Sequence, residues 1–177
     1  MEFLNILRKE ELTESNKIQI NELFNLGFNK PLDTNSIDNI PYDLLCLLYV
    51  NNKIIGVSCI EKKYKEVMEP LSKVYYFLHT LTIHPDYRGK GYCNLLTKEI
   101  IKKLGQKHSL YLSVETHNKS PNINAIKCYQ KNGFRLVDCL YEPRPDNKIA
   151  SYMVRVKGSF RKTKNLRKTK KRKNKRK

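Results

Sequence analysis

Residues with chemistry to offer crowd into one stretch, Tyr75 to Leu104, which reads YYFLHTLTIHPDYRGKGYCNLLTKEIIKKL. At its centre, Arg88-Gly89-Lys90-Gly91 stands between two periodic patterns. Ahead of it, Tyr75, Phe77, His79, Leu81 and Ile83 alternate as on a strand with one buried face. His84-Pro85-Asp86 breaks that run. Behind it, Tyr92, Leu95, Leu96, Ile100 and Leu104 recur with helical spacing. The order is therefore strand, glycine-bearing loop, helix start. The first turn of a helix leaves backbone N–H groups without partners, and the macrodipole puts partial positive charge there. Glycines let an anion come close to those donors and allow positive φ. Arg88 and Lys90 add two full charges. The chemistry this predicts is the seating of a pyrophosphate, on Arg88, Gly89, Lys90 and Gly91 and on the first helical residues Tyr92 and Cys93. The spacing fits neither the phosphate loop GxxxxGK[ST] nor the dinucleotide fingerprint GxGxxG.

The elements that must carry this loop follow in chain order. Phe3 to Leu7 reads as a strand, and Glu14 to Leu26 as a helix stopped by Gly27. The polar stretch from Leu32 to Ile40, edged by prolines, has room for a short helix. Asp43 to Val50 and Ile54 to Ile60 read as a hairpin turning on Asn51-Asn52-Lys53. Lys62 to Ser72 reads as a charged connection. The helix that starts at Tyr92 ends at Gly105. Ser109 to Val114 is the next strand, His117 to Pro121 a polar loop, and Asn122 to Lys131 a short helix stopped by Asn132-Gly133. Phe134 to Tyr141 and Ala150 to Val156 read as two last strands around the Pro-containing turn Glu142 to Lys148. Helices and strands thus alternate around one mixed sheet, an α/β arrangement.

The chain has 177 residues and 40% hydrophobic content, enough for one core. Its longest apolar run, Leu44 to Val50, falls far short of the roughly 20 residues of a membrane span. The start, MEFLNILRKEE, lacks the apolar length of a signal peptide, so an intracellular protein, with no membrane partner, is expected. Five cysteines, Cys46, Cys59, Cys93, Cys128 and Cys139, show neither CxxC pairing nor zinc spacing with histidine, and no metal is expected. The odd count points to reduced thiols acting as small buried hydrophobes.

Charge divides the chain. Residues 161–177 hold twelve of the 35 Lys and Arg and no acid, whereas the remainder sets 23 cations against 17 acids. From about Gly158 only Phe160 and Leu166 interrupt the polar run, too little apolar surface to offset ordering entropy. A folded domain over residues 1–157 and a disordered basic tail over 158–177 are expected. The tail's charge fits a polyanion. A nuclear localisation signal read by an import receptor, a nucleic-acid arm, a contact for acidic protein surfaces and a merely solvated tail all remain open. Lacking aromatics beyond Phe160, it would bind nucleic acid through the backbone, in a salt-sensitive way.

Two motifs together carry a family resemblance. Arg88-x-x-Gly91-x-Cys93 resembles the acetyl-CoA-binding signature of the GNAT N-acetyltransferases, Arg/Gln-x-x-Gly-x-Gly/Ala, with Cys93 at the last small position. The run NINAIKCYQKNGF resembles that family's second signature, matching at Asn122, Ala125, Tyr129, Gly133 and Phe134 with every interval kept. The resemblance spans roughly Phe77 to Phe134. It implies a centrally splayed mixed sheet of about seven strands flanked by helices. It also implies transfer of an acetyl group from acetyl-CoA to an amine acceptor by direct attack in a ternary complex. Backbone groups of Leu81, Thr82 and Ile83 would pair with the pantetheine arm, and Asn122 would contact the same arm. Tyr129 occupies the position that commonly protonates the thiolate leaving group; a phenol of pKa about 10 can donate at neutral pH.

An amine of pKa about 10.4 must lose a proton before it attacks, so a base is useful. His79 is the candidate, in the context LHxLxxH that is similar to the arylalkylamine branch of the family. Glu115 is an alternative base, and His84 reads as structural. The acceptor, whether a small amine, a protein lysine or a protein N-terminus, would bind around residues 27–42 and 142–148. The competing reading is a catalytically silent CoA-binding module tethered to a polyanion by its tail.

Overall fold

The computed structural model describes residues 2–28, 36–64, 74–117, 120–137 and 150–156. The expected basic tail and the turn from Glu142 to Lys148 lie outside these residues, as does most of the boundary region around residue 157. Eight strands and three helices are seen among them: β1 (Glu2–Arg8), α1 (Glu14–Phe28), β2 (Leu44–Val50), β3 (Lys53–Tyr64), β4 (Val74–Ile83), α2 (Tyr92–Lys103), β5 (Ser109–His117), β6 (Ser120–Pro121), α3 (Ile123–Lys131), β7 (Arg135–Leu136) and β8 (Ala150–Arg155).

The sheet runs β1-β2-β3-β4-β5-β8-β7, with the two-residue β6 paired onto β5. Among the described residues only β4 and β5 pair in parallel. The expected mixed α/β sheet of about seven strands is therefore the observed one. A short 3-10 turn, Ile37–Asn39, stands where the polar stretch before β2 had room for a helix.

Why β2 reads LLCLLYV is plain from its place. It lies inside the sheet with a layer on each face, so both alternating sets must be apolar. Leu45, Leu47 and Tyr49 pack with Ile20, Leu23 and Phe24 of α1. Cys46 and Leu48 pack on the opposite side with Leu96 and Ile100 of α2 and Ile126 and Tyr129 of α3. The α1 residues recur at three- and four-residue spacing and form one buried stripe. The hairpin between β2 and β3 turns on Asn51 and Asn52, both at positive φ (49° and 63°). Positive φ at both central residues is what a type I′ turn needs, and asparagine tolerates it.

Three sequence expectations change. β3 continues through Lys62–Tyr64, where a charged connection was expected, because its polar end pairs with Val74–Tyr76 of β4. The polar loop from His117 to Pro121 holds the β5–β6 pairing of Thr116 with Pro121 and His117 with Ser120. Gly27 does not stop α1, which runs to Phe28. Its lack of a side chain serves packing instead: a Cβ there would lie 2.2 Å from Thr82 Oγ1.

Candidate active site

The site grows from a fault in β4. Thr80, a β-branched residue, sits at φ +53°, and the register with β3 slips between Val57 and Cys59. Val57 faces Thr82 and Cys59 faces His79, so one extra residue is accommodated on β4. This is a β-bulge, the device that bends a strand and re-aims its side chains. Around it β4 leaves β5. The parallel pairing starts at Tyr75 with Ser109 and ends at Leu78 with Leu112, although β4 runs on to Ile83 and β5 to His117. The splayed centre expected of the sheet is this parting. Among the described residues no strand pairs with β5's side of β4 over Leu81–Ile83, although the Ile83 carbonyl accepts from Arg88.

The loop that follows delivers the chain to α2. His84 caps a 3-10 turn over Pro85–Tyr87 by accepting from Asp86 N–H, consistent with a structural role. Gly89 and Gly91 both have positive φ (76° and 88°), and a Cβ at either would meet nothing within 4 Å. Gly91 is the N-cap of α2, with no side-chain cap. The first intrahelical bond runs from Leu95 N–H to the Gly91 carbonyl, so helix geometry leaves the N–H groups of Tyr92, Cys93 and Asn94 directed outward. The donor set and the open glycine face fit a pyrophosphate.

The charged residues of the loop behave differently from the expectation. Arg88 turns back: its Nε donates to the Ile83 carbonyl at 3.0 Å and its Nη2 to the Gly27 carbonyl at 3.2 Å. It ties the end of β4 to the end of α1, and adds charge to the seat only from that fixed position. Lys90 lies over the Tyr87 ring at 5.2 Å. Tyr92 donates its hydroxyl to Glu2 Oε1 at 2.6 Å, fastening α2's first turn to β1.

Tyr129 is buried in α3 within the cluster that includes Leu78, Ile83 and Leu96, with its ring 5.8 Å from Phe134. Burial pushes its phenol well above the ordinary value, which keeps it protonated. Asn122 is the exposed N-cap of α3, and its side-chain oxygen accepts from Ala125 N–H at 3.1 Å. It stands seven residues from Tyr129, roughly 10 Å along the axis.

His79 stacks on Phe77 (5.5 Å, 16°), and so shares Phe77's face of β4. Leu78, the residue between them, joins the Tyr129 cluster on the other face. Acid and base candidates thus flank the sheet where it parts. The His79 Nδ1 is 3.1 Å from Thr80 Oγ1, and its Nε2 is buried without a well-formed hydrogen bond. Burial lowers its pKa; Glu61 and the Pro41 backbone pull it partly back up, and Lys63 lowers it. The ring is neutral at pH 7 and able to accept a proton. The side chain of Glu115, the alternative base, lies outside the described residues, as do 29–35 and 142–148 of the expected acceptor region.

The thiol expectation fails at one pair. Cys93, at α2's first turn, and Cys128 of α3 are joined in a disulfide, Cα to Cα 6.6 Å, across 35 residues of sequence. No local spacing announces such a pair; it exists because α2 and α3 pack side by side. Cys46 and Cys59 are free and buried as expected, with burial raising both thiols, Cys46 to about 12. Sequence reasoning also missed Thr80, which has no glycine to mark its bulge, and Asn132. The latter is buried and donates to both Asn94 Oδ1 (3.0 Å) and the Cys128 carbonyl (2.8 Å), linking the same two helices.

The sequence profile of the Acetyltransferase (GNAT) family matches residues 10–134. The chain belongs to that family. No curated protein matches it. Among solved structures, the GNAT chain is similar to Escherichia coli ElaA at 18% identity and TM-score 0.62, covering 88% of this chain and 99% of that one. It is similar to the ribosomal-protein-S18-alanine N-acetyltransferase of Escherichia coli at 19% identity and TM-score 0.59, over 86% and 92%. It is also similar to Arabidopsis thaliana Naa50, solved with the bisubstrate analogue CoA-Ac-MVNAL, at 18% identity and TM-score 0.57, over 86% and 97%. At these identities the likeness shows a shared fold. Family membership supports acyl transfer as the general chemistry. No helix among the described residues is long and apolar enough to cross a membrane.

Proposed function

We propose that this GNAT chain transfers an acetyl group from acetyl-CoA to a primary amine by direct attack in a ternary complex. The observation that carries the reading is the parting of β4 from β5 beside the open first turn of α2. A diphosphate would accept from the N–H groups of Tyr92, Cys93 and Asn94, with Gly89 and Gly91 admitting it, while the pantetheine arm would lie along Leu81–Ile83. As the amine nitrogen bonds to the carbonyl carbon, the C–S bond breaks and the sulfur takes a proton from Tyr129. The amine's own proton leaves toward neutral His79. Amine acceptors include peptide N-termini, as the peptide-bearing ligand of the Naa50 structure illustrates.

A second reading, binding of CoA without turnover, draws on one observation: Tyr129 is packed inside the core. One experiment separates the two. The purified chain is first titrated with acetyl-CoA by thermal shift, then incubated with an amine panel and peptides, and products are read by mass spectrometry. A shift with acetylated product supports transfer. A shift without any product supports the silent module, and no shift overturns both. For the basic tail we propose a polyanion contact, nucleic acid or an import receptor, on its charge alone.

A further inference from the structure

The Cys93–Cys128 pair stands apart from the other described cysteines. Cys46 and Cys59 are fully buried, and burial raises their thiols, so neither exchanges readily. Cys93 and Cys128 are only partly buried. Cys93 is the second residue of a 12-residue helix, where unpartnered N–H groups and the macrodipole favour a thiolate. The two sulfurs are already bonded.

Their position gives the bond a role. Cys93 belongs to the turn whose N–H groups face the pyrophosphate seat, and Cys128 immediately precedes Tyr129. The side chain of Cys93 leaves the helix toward Cys128 of α3, and none of its atoms comes within 4 Å of a Cβ built at Gly89 or Gly91. The bond therefore does not fill the seat. Around it the seam between the helices is polar: Thr97 Oγ1 donates to the Cys93 carbonyl at 2.7 Å and lies 4.0 Å from Cys128 Sγ, while Asn132 reaches Asn94. The Thr97–Cys93 bond stays within α2; across the seam the Asn132–Asn94 bond still links the helices when the sulfurs are reduced, but more loosely than a covalent bond does.

We infer that Cys93 and Cys128 form a thiol–disulfide exchange site that sets how firmly the donor seat is held against the helix carrying Tyr129. The inference rests on the acetyl-CoA reading for its effect, though not for its chemistry. The co-reactant is a low-molecular-weight disulfide such as oxidised glutathione. The Cys93 thiolate attacks one of its sulfurs, its S–S bond breaks, and one small thiol leaves. The Cys128 thiolate then attacks Cys93 Sγ in the mixed disulfide and releases the second small thiol. Two protein thiols are oxidised, one small disulfide is reduced to two thiols, and both protons end on those thiols. The oxidised form pre-organises the turn and binds coenzyme A more tightly; reduction relaxes it.

The full-length chain is equilibrated in oxidised or reduced glutathione, free thiols are alkylated, and the Cys93 and Cys128 peptides are weighed. In parallel, the Kd for coenzyme A is measured calorimetrically in each form. Expected are disappearance of alkylation at both residues under oxidised glutathione and a Kd about fivefold lower than in the reduced form. The double variant Cys93→Ser/Cys128→Ser should give one Kd, near the reduced value, in both buffers. Alkylation of both cysteines under oxidised glutathione would overturn the exchange site. A shared Kd for the two wild-type forms, or redox dependence persisting in the double variant, would overturn the coupling. Absence of coenzyme A binding in either form sinks the acetyl-CoA reading and the coupling with it, while alkylation still decides the exchange site.

Discussion

At Tyr129 the sequence and the structure contribute different things. Motif spacing picked the residue, while only the fold shows its phenol enclosed and held protonated. If the phenol supplies the leaving-group proton, Tyr129→Phe should lower kcat by roughly 10²–10⁴-fold with little change in KM for acetyl-CoA. Unaltered kcat would remove it from the mechanism. His79 titrates in the opposite sense. Its folded pKa is below the unfolded value of about 6.5, so the native state binds fewer protons than the unfolded state as the pH falls. The stability it contributes is complete above about pH 6.5 and is lost as the pH drops toward the folded value. His79→Gln should therefore flatten the decline in Tm below pH 6.5, measured by thermal melts across pH, and should cut kcat at pH 7. Arg88 was legible as a residue but not as a direction. Nothing in RGKG says that the guanidinium folds back onto two carbonyls, because those carbonyls come from Ile83 and from a helix 61 residues away.

Among the elements, α1 and α2 could be read from periodicity because each packs a regular face on the core, and β2 from its unbroken apolar run. β4 was legible as a strand, but the single buried face expected of Tyr75, Phe77, His79, Leu81 and Ile83 fails at Thr80, where the register slips. Lys62–Tyr64 could not be read from periodicity, since that end of β3 is held by pairing with β4 rather than by burial. The contact between α1 and β4 was invisible for a related reason: glycine looks the same in a helix stop as in a close approach. Two effects compete at Gly27. Alanine would favour the helix by about 1 kcal/mol, but its Cβ would stand 2.2 Å from Thr82 Oγ1, and overpacking of that kind costs about 1–3 kcal/mol. Gly27→Ala should thus be net destabilising by about 1 kcal/mol, as read by urea unfolding. Adding Thr82→Ala should recover part of the loss; a fully stable single variant would show that α1 can move off the strand.

For the molecule as a whole, composition sets a basic end apart from a mixed-charge remainder, and the family profile covers residues 10–134. A chain cut to residues 1–157 should keep its turnover on a small amine within about twofold and lose salt-sensitive retention on a polyanion column. Collapse of turnover would mean that the last residues complete the domain. The acceptor could not be read at all, because an amine-binding surface is made of loop residues with no fixed spacing, unlike a phosphate seat built from backbone.

The extra residue at Thr80 has a consequence for how this chain tolerates change. Before it, odd-numbered positions of β4 look toward one layer: Phe77 and His79 share a face, and Leu78 takes the other. After it the parity inverts, so that Thr82 meets α1 while Ile83 joins the layer of α2 and α3. Swapping Thr80 for another side chain leaves that inversion in place. Deleting it would turn the strand's last three residues inside out, exchanging a hydroxyl for an isoleucine on each side of the sheet. The position should accept most letters and no gap, and a one-codon deletion that still yielded folded protein would show the inversion to be dispensable.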